Sequence, residues 1–146
     1  MENKGEQHNI NKNIRGIIYK GDKKIMKLAQ ILNLNYVIKK IVDDNKITSP
    51  LLKFKLLSIM KVFEPSVNNF DIIRNDLILK YGTKNENGNF EIAKNDAEAI
   101  KNFNSEIEKI ANEDIDIVIP KIKADEVFNA GISADYLLSL YDIIGE

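Results

Sequence analysis

Between Ser49 and Tyr81 apolar residues recur at steps of three and four: Leu52, Leu56, Ile59, Phe63, Val67, Phe70, Ile73, Leu77 and Tyr81. That spacing is the signature of one helical face seeking a partner. Ser49 is placed to accept a hydrogen bond from an orphan backbone N–H. Pro50, at the first helical position, gives up only a donor that would be unpaired anyway. A continuous helix over this run is longer than a small domain is wide, so its ends must project or bend. Pro65 supplies a bend, because it removes the hydrogen bond to the carbonyl of Lys61 and pushes Glu64 away from the α region. A kinked helix and two consecutive helices both satisfy the pattern.

The remaining elements must pack around that rod. Leu34, Val37, Ile38 and Ile41 fall on one helical face, with Asn33 as N-cap, which predicts a helix over 34–42. Leu28 and Gln30 to Leu32 form a short strand or lead-in before it. Asp43 to Asn45 end this helix, and the short link Lys46 to Thr48 makes it an antiparallel neighbour of the central one. Gly82 suits a left-handed C-cap after Tyr81. Asn87-Gly88 is a hairpin turn signal, with Phe90 to Ile92 as the strand leaving it. Asn95 and Glu98 read as a capping box for a helix with Ile100, Phe103, Ile107 and Ile110 inward, running to about Ala111. Asp114 to Ile119 alternates at period two and is the best strand in the chain, with Pro120 marking an edge and Lys121 to Lys123 continuing extended. A short helix near Asp125 to Phe128 is broken by Gly131. Ser133 caps a last helix with Leu137, Leu140, Tyr141 and Ile144 inward.

These elements predict an α+β fold, predominantly helical: a helical hairpin with a long kinked central helix packed on a small antiparallel β element. Residues 1–25 read as a poorly ordered N-terminal extension, rich in Asn, Lys and Glu, with one apolar island at Ile14 to Tyr19. Residues 26–146 read as a single compact domain.

The composition excludes several chemistries. Without cysteine there is no disulfide, zinc-thiolate site or cysteine nucleophile. The only histidine, His8, lies in the polar N-terminal stretch, so a nucleophilic triad has no placed base. One glycine in an asparagine-rich turn is not a phosphate loop. Apolar runs are short and the N-terminus is polar, so neither a membrane span nor a secretory signal is expected, and the chain is expected in the cytoplasm. Glu113, Asp114 and Asp116 with Lys121 and Lys123 are the one constellation resembling a catalytic site, that of a metal-dependent nuclease. It lacks a downstream acidic-x-Lys element and a nearby histidine, so its charges read as edge-strand protection. No enzyme activity, cofactor or metal is expected, with a metal-dependent nuclease as the remote alternative.

Charge is divided along the chain. Residues 1–62 carry 13 basic and 5 acidic side chains, net +8, and residues 63–146 carry 8 and 17, net −9, which together give the overall −1. Either the halves fold against each other and their charges mingle, or one patch faces a partner. Glu106, Glu108, Glu113, Asp114 and Asp116 would meet a nucleic-acid-binding protein by mimicking phosphates. Lys39, Lys40, Lys46 and Lys53 form the alternative basic face, able to meet nucleic acid directly. Direct nucleic-acid binding is the weaker reading, because Arg15 and Arg74 are the only arginines. The aromatics Phe54, Phe63, Phe70, Tyr81, Phe90 and Phe103 sit mostly at core spacing and are expected inside.

From Met26 to the end the order of features resembles a family of small tailed-phage and prophage proteins of low-GC Gram-positive bacteria, a domain of unknown function. The resemblance is carried by Lys80-Tyr81-Gly82 closing a long helix, the Glu86-Asn87-Gly88-Asn89 turn and a short helix with Phe103 and Glu106. It continues in Ile115-Asp116-Ile117-Val118-Ile119-Pro120-Lys121-Ile122 and in Ile132-Ser133 opening a terminal helix. It implies a phage origin and no assigned active site. Small phage proteins of this kind work by occupying another protein's surface. The expectation is therefore a non-enzymatic binding module that modulates a host system, concretely an anti-CRISPR-like inhibitor of a defence nuclease acting through the acidic surface. The alternative is a virion assembly or morphogenesis factor acting through apolar helix faces.

Overall fold

The computed structural model describes residues 13–14, 17–18, 21–44 and 46–145. His8 lies outside them. In chain order, β1 (Asn13–Ile14) pairs antiparallel with β2 (Ile17–Ile18), and β3 (Gly21–Lys27) leads into helix α1 (Leu28–Asp44). Helix α2 (Pro50–Tyr81) is followed by the hairpin β4 (Thr83–Lys84) and β5 (Phe90–Glu91), then by helix α3 (Ala97–Ala111). The chain ends with β6 (Asp114–Pro120), β7 (Ile122–Lys123), the short helices α4 (Ala124–Phe128) and α5 (Ala134–Leu140), a 3₁₀ turn (Tyr141–Ile143) and β8 (Ile144–Gly145). The architecture is α+β and mostly helical, a long helix packed on small sheets.

Helix α2 is continuous through Pro65 for 32 residues. Its start follows the sequence signal: Ser49 Oγ accepts from the Leu52 N–H at 3.2 Å, with Pro50 next in line. Helix α1 packs against its first half. Ile31, Leu34, Ile38 and Ile41 meet Leu52, Leu56, Ile59 and Phe63, and all of these are buried. Burying one such side chain stabilises by about 1.5–3 kcal/mol, so this seam is the main source of cohesion. Ile117 and Ile119 of β6, Ile122, Val127, Leu140 and Ile143 close the same core from the other side.

The order of the N-terminal half differs from expectation in two places. Strand β3 starts at Gly21, within the stretch read as a poorly ordered extension, and pairs along its whole length with β6, from Gly21 opposite Pro120 to Lys27 opposite Asp114. Only Met26 of this strand is buried. The period-two apolar signal is therefore absent, and the partner strand supplies the order. Helix α1 begins at Leu28 in place of residue 34, because Leu28 and Ile31 continue the same buried face backwards. Gln30 Oε1 accepts from the Lys27 N–H at 2.9 Å, the reach-back half of a capping box, whereas Asn33 is an exposed mid-helix residue.

Further along, Asp96 and not Asn95 caps α3, its Oδ1 accepting from the Ala99 N–H at 3.0 Å. Gly82 is extended (φ −93) rather than left-handed. It is needed for close approach, since a Cβ there would stand 2.4 Å from the Ile78 carbonyl oxygen and 2.9 Å from that of Glu91. The Asn87-Gly88 turn holds as read, with Gly88 at φ 84 and Asn85 Oδ1 accepting from the N–H groups of Asn87 and Asn89. Pro120 is the last residue of β6. At the C-terminus Tyr141 is exposed and Ile143 takes the inward place, because α5 gives way to a 3₁₀ turn after Leu140 and shifts the facing positions.

Candidate functional site

The five acidic residues singled out in the sequence do not share a surface. Glu106 faces α2: its Oε2 accepts from the Tyr81 hydroxyl at 2.6 Å and from Lys80 Nζ at 3.3 Å. The hydroxyl bond above all, and then Lys80, hold its carboxyl below the usual carboxylate range, and the same contact raises the Lys80 ammonium. Glu106 thus ties α3 to the end of α2. Glu108, two residues on and about 200° further round the helix, is exposed.

Asp114 and Asp116 do point the same way, outward from β6, as the alternation predicts. The register of β3 brings lysines to that same outward face. Asp114 stands 2.8 Å from Lys27 Nζ, which also donates to the Asn112 carbonyl, and Asp116 lies opposite exposed Ile25 with Lys23 one outward position further along β3. Glu113 is exposed, and only its backbone carbonyl is engaged, accepting from the Leu28 N–H at 2.9 Å. The basic and acidic halves of the chain therefore meet along this ribbon, and they meet again where Lys55 on α2 reaches Glu126 on α4 at 2.8 Å.

The basic set is equally dispersed. Lys39 pairs with Asp43 at 3.0 Å, Lys40 lies 5.3 Å from the Tyr36 ring centroid, Lys46 sits in the α1–α2 link and Lys53 is half-buried on α2. Among the described residues no group of three His, Asp or Glu side chains stands close enough to hold a metal ion. Lys121 lies between β6 and β7 and Lys123 ends β7, both exposed. Glu126, by contrast, is well anchored: it accepts from the Lys123 backbone N–H at 2.9 Å and from Lys55, which together lower its pKa.

The feature that the sequence reading missed is the outer face of α2. Phe54, expected in the core, is 67% exposed, and Leu51 and Leu57 beside it are also exposed. Phe54, Leu57, Ser58, Lys61 and Val62 line an open groove of about 470 Å³. Leu57 and Lys61 also line a second groove of about 310 Å³, toward α1, together with Met60 and Val67. Farther along, Ile72 (58%), Ile73 and Leu79 (57%) are exposed too, as is Phe90 on the adjoining hairpin. A signal for this face exists in the sequence. Leu51 to Phe63 is apolar around more than one side of the helix, and a helix that is apolar on two sides has two partners.

Compared with family models, with curated proteins and with solved structures, the chain matches none. No helix among the described residues is long and apolar enough to cross a membrane.

Proposed function

We propose that this chain is a non-enzymatic protein-binding module, in the phage setting its sequence resembles, and that it binds through the outer face of α2 rather than through its acidic residues. The observation that carries the proposal is the groove at Phe54, Leu57 and Lys61, on a helix whose opposite side is anchored by fully buried Leu52, Leu56, Ile59 and Phe63. Large apolar side chains held rigidly in solvent are the elements of helix-in-groove recognition. The acidic version of the proposal is weakened, since Glu106 and Asp114 already have partners within the chain. A surface of this kind serves a host-directed modulator and a virion assembly factor alike, through contacts that persist in salt.

The test is affinity capture from infected low-GC host cells with the full chain, Phe54→Glu and Asp116→Lys side by side, at low and high salt. The expected result is a stoichiometric protein retained at high salt by the wild type and by Asp116→Lys, and lost with Phe54→Glu. Its identity, a host protein or a phage structural protein, assigns the class. Capture that survives Phe54→Glu but is released by salt and by Asp116→Lys would overturn the proposal in favour of the acidic surface.

A further inference from the structure

The outer face of α2 does not end at the groove. Phe54, Lys61, Asn68 and Asn75 stand seven residues apart and are all exposed, and Ile72 and Leu79 repeat that spacing on the adjoining row. Every one of them lies on the side opposite Leu52, Phe63 and Leu77, so one seam with heptad spacing runs along the helix on both sides of Pro65. Its apolar residues sit at the two ends, and its middle is polar.

We infer that, until such a partner takes its place, the surface covering this seam is a second copy of the same helix, laid antiparallel across a two-fold axis beside residue 66. The inference rests on reading the outer face of α2 as a binding surface. It is the arrangement that brings Phe54 of one copy against Leu79 of the other and lays the stem of Lys61 on Ile72. In the same register the Lys61 ammonium meets Asp71. All three pairs share a midpoint at 66 to 66.5, and a two-fold axis repeats each of them, as an isologous interface requires. A parallel pairing would instead set Lys61 against Lys61.

The charges involved are available for it. Lys61 makes only a long contact of 3.8 Å with Glu64, both strongly exposed, and Asp71 has no ion pair among the described residues. From residue 54 to residue 79 the overlap is about 38 Å, or about seven turns. A specific interface laid over that length has to bury about 1,200–2,000 Å² in total.

The experiment is sedimentation velocity of the full chain over a concentration series, repeated in high salt, with three variants. A dimer is expected. Ile72→Glu, a change at an exposed position, should keep the helical circular dichroism spectrum and give a monomer. Lys61→Glu and Asp71→Lys should each weaken dimerisation by about tenfold or more, and the two combined should restore it. A monomer at on the order of 100 μM, a dimer that survives Ile72→Glu, or a double reversal no better than the single ones would overturn the inference. Failure here is separable from failure of the binding-module reading. A monomeric wild type whose captured protein is still lost with Phe54→Glu removes the second copy and keeps the module. A dimer with the stated variant behaviour whose capture survives Phe54→Glu keeps the second copy and removes the proposed hetero-binding.

Discussion

Pro65→Ala should stabilise this protein. Pro65 lies inside α2 with its ring exposed, so replacing it with alanine removes no core contact. The new N–H can donate to the Lys61 carbonyl, a hydrogen bond worth about 0.5–1.5 kcal/mol net. Removing the ring also relieves its contact with that carbonyl, and the full proline-to-alanine difference in a helix interior, about 3 kcal/mol, is the ceiling. Against this, the unfolded chain regains freedom worth about 0.4–1 kcal/mol. The net expectation is about 1–2 kcal/mol in favour of the variant. For a chain of 146 residues that is a Tm rise of about 3–8 °C. Urea denaturation followed at the helical circular dichroism band measures it as a raised midpoint at constant slope. A lowered midpoint would refute the reasoning. It would mean that the path of the helix at Pro65 is what lets Phe63 and Val67 both reach their places, so that straightening it breaks packing on one side.

Three other outcomes follow from the contacts. Phe63→Ala empties the largest fully buried side chain, where α2 passes under α1, and should cost about 3–5 kcal/mol by the same denaturation assay. Tyr81→Phe removes the 2.6 Å hydroxyl bond to Glu106 and should lower the denaturation midpoint, with amide exchange rising in α3 more than in α1. The carboxyls of Glu126 and Glu106 are depressed in the folded state, so the stability they contribute is present above the unfolded carboxylate value of about 4.3 and is lost as pH falls through their lower folded values. Denaturation midpoints measured down to pH 3 should therefore fall, and Glu126→Gln should flatten part of that fall while lowering stability at pH 7.

The elements legible in the sequence were those in which one residue type has one structural use. Ser49-Pro50 can hardly be read except as a helix start, and Asn87-Gly88 and the Asp114 to Ile119 alternation are equally local signals. What escaped were features decided at long range. Strand β3 is lysine-rich, and nothing near it in sequence says that β6, over eighty residues on, will pair with it. The same pairing settles the fate of the acidic set, because Lys27 reaches Asp114 only once the register is known. Spacing places Phe54 inward, but spacing fixes a helical face only relative to a known partner. With Leu52 and Leu56 taken by α1, the neighbouring Phe54 is left pointing out.

Helix α2 shows why the uneven charge of this chain is better explained by folding than by a charged ligand. Its first half lies in the core between α1 and the strands, and there Lys55 is tied to Glu126 across the division between basic and acidic halves. Its second half has only Leu77 fully inside and is steadied by α3, through Tyr81, Lys80 and Glu106. Complementary charges thus act as clips at successive points along one rod, while the apolar seam contributes most of the cohesion. With Glu106, Asp114 and Glu126 engaged, an apolar surface at Phe54, Leu57, Ile72 and Leu79 still lacks a covering. Recognition through it should be salt-resistant, and removing a single side chain, Phe54 or Ile72, should affect it more than reversing any one of the acids expected to bind.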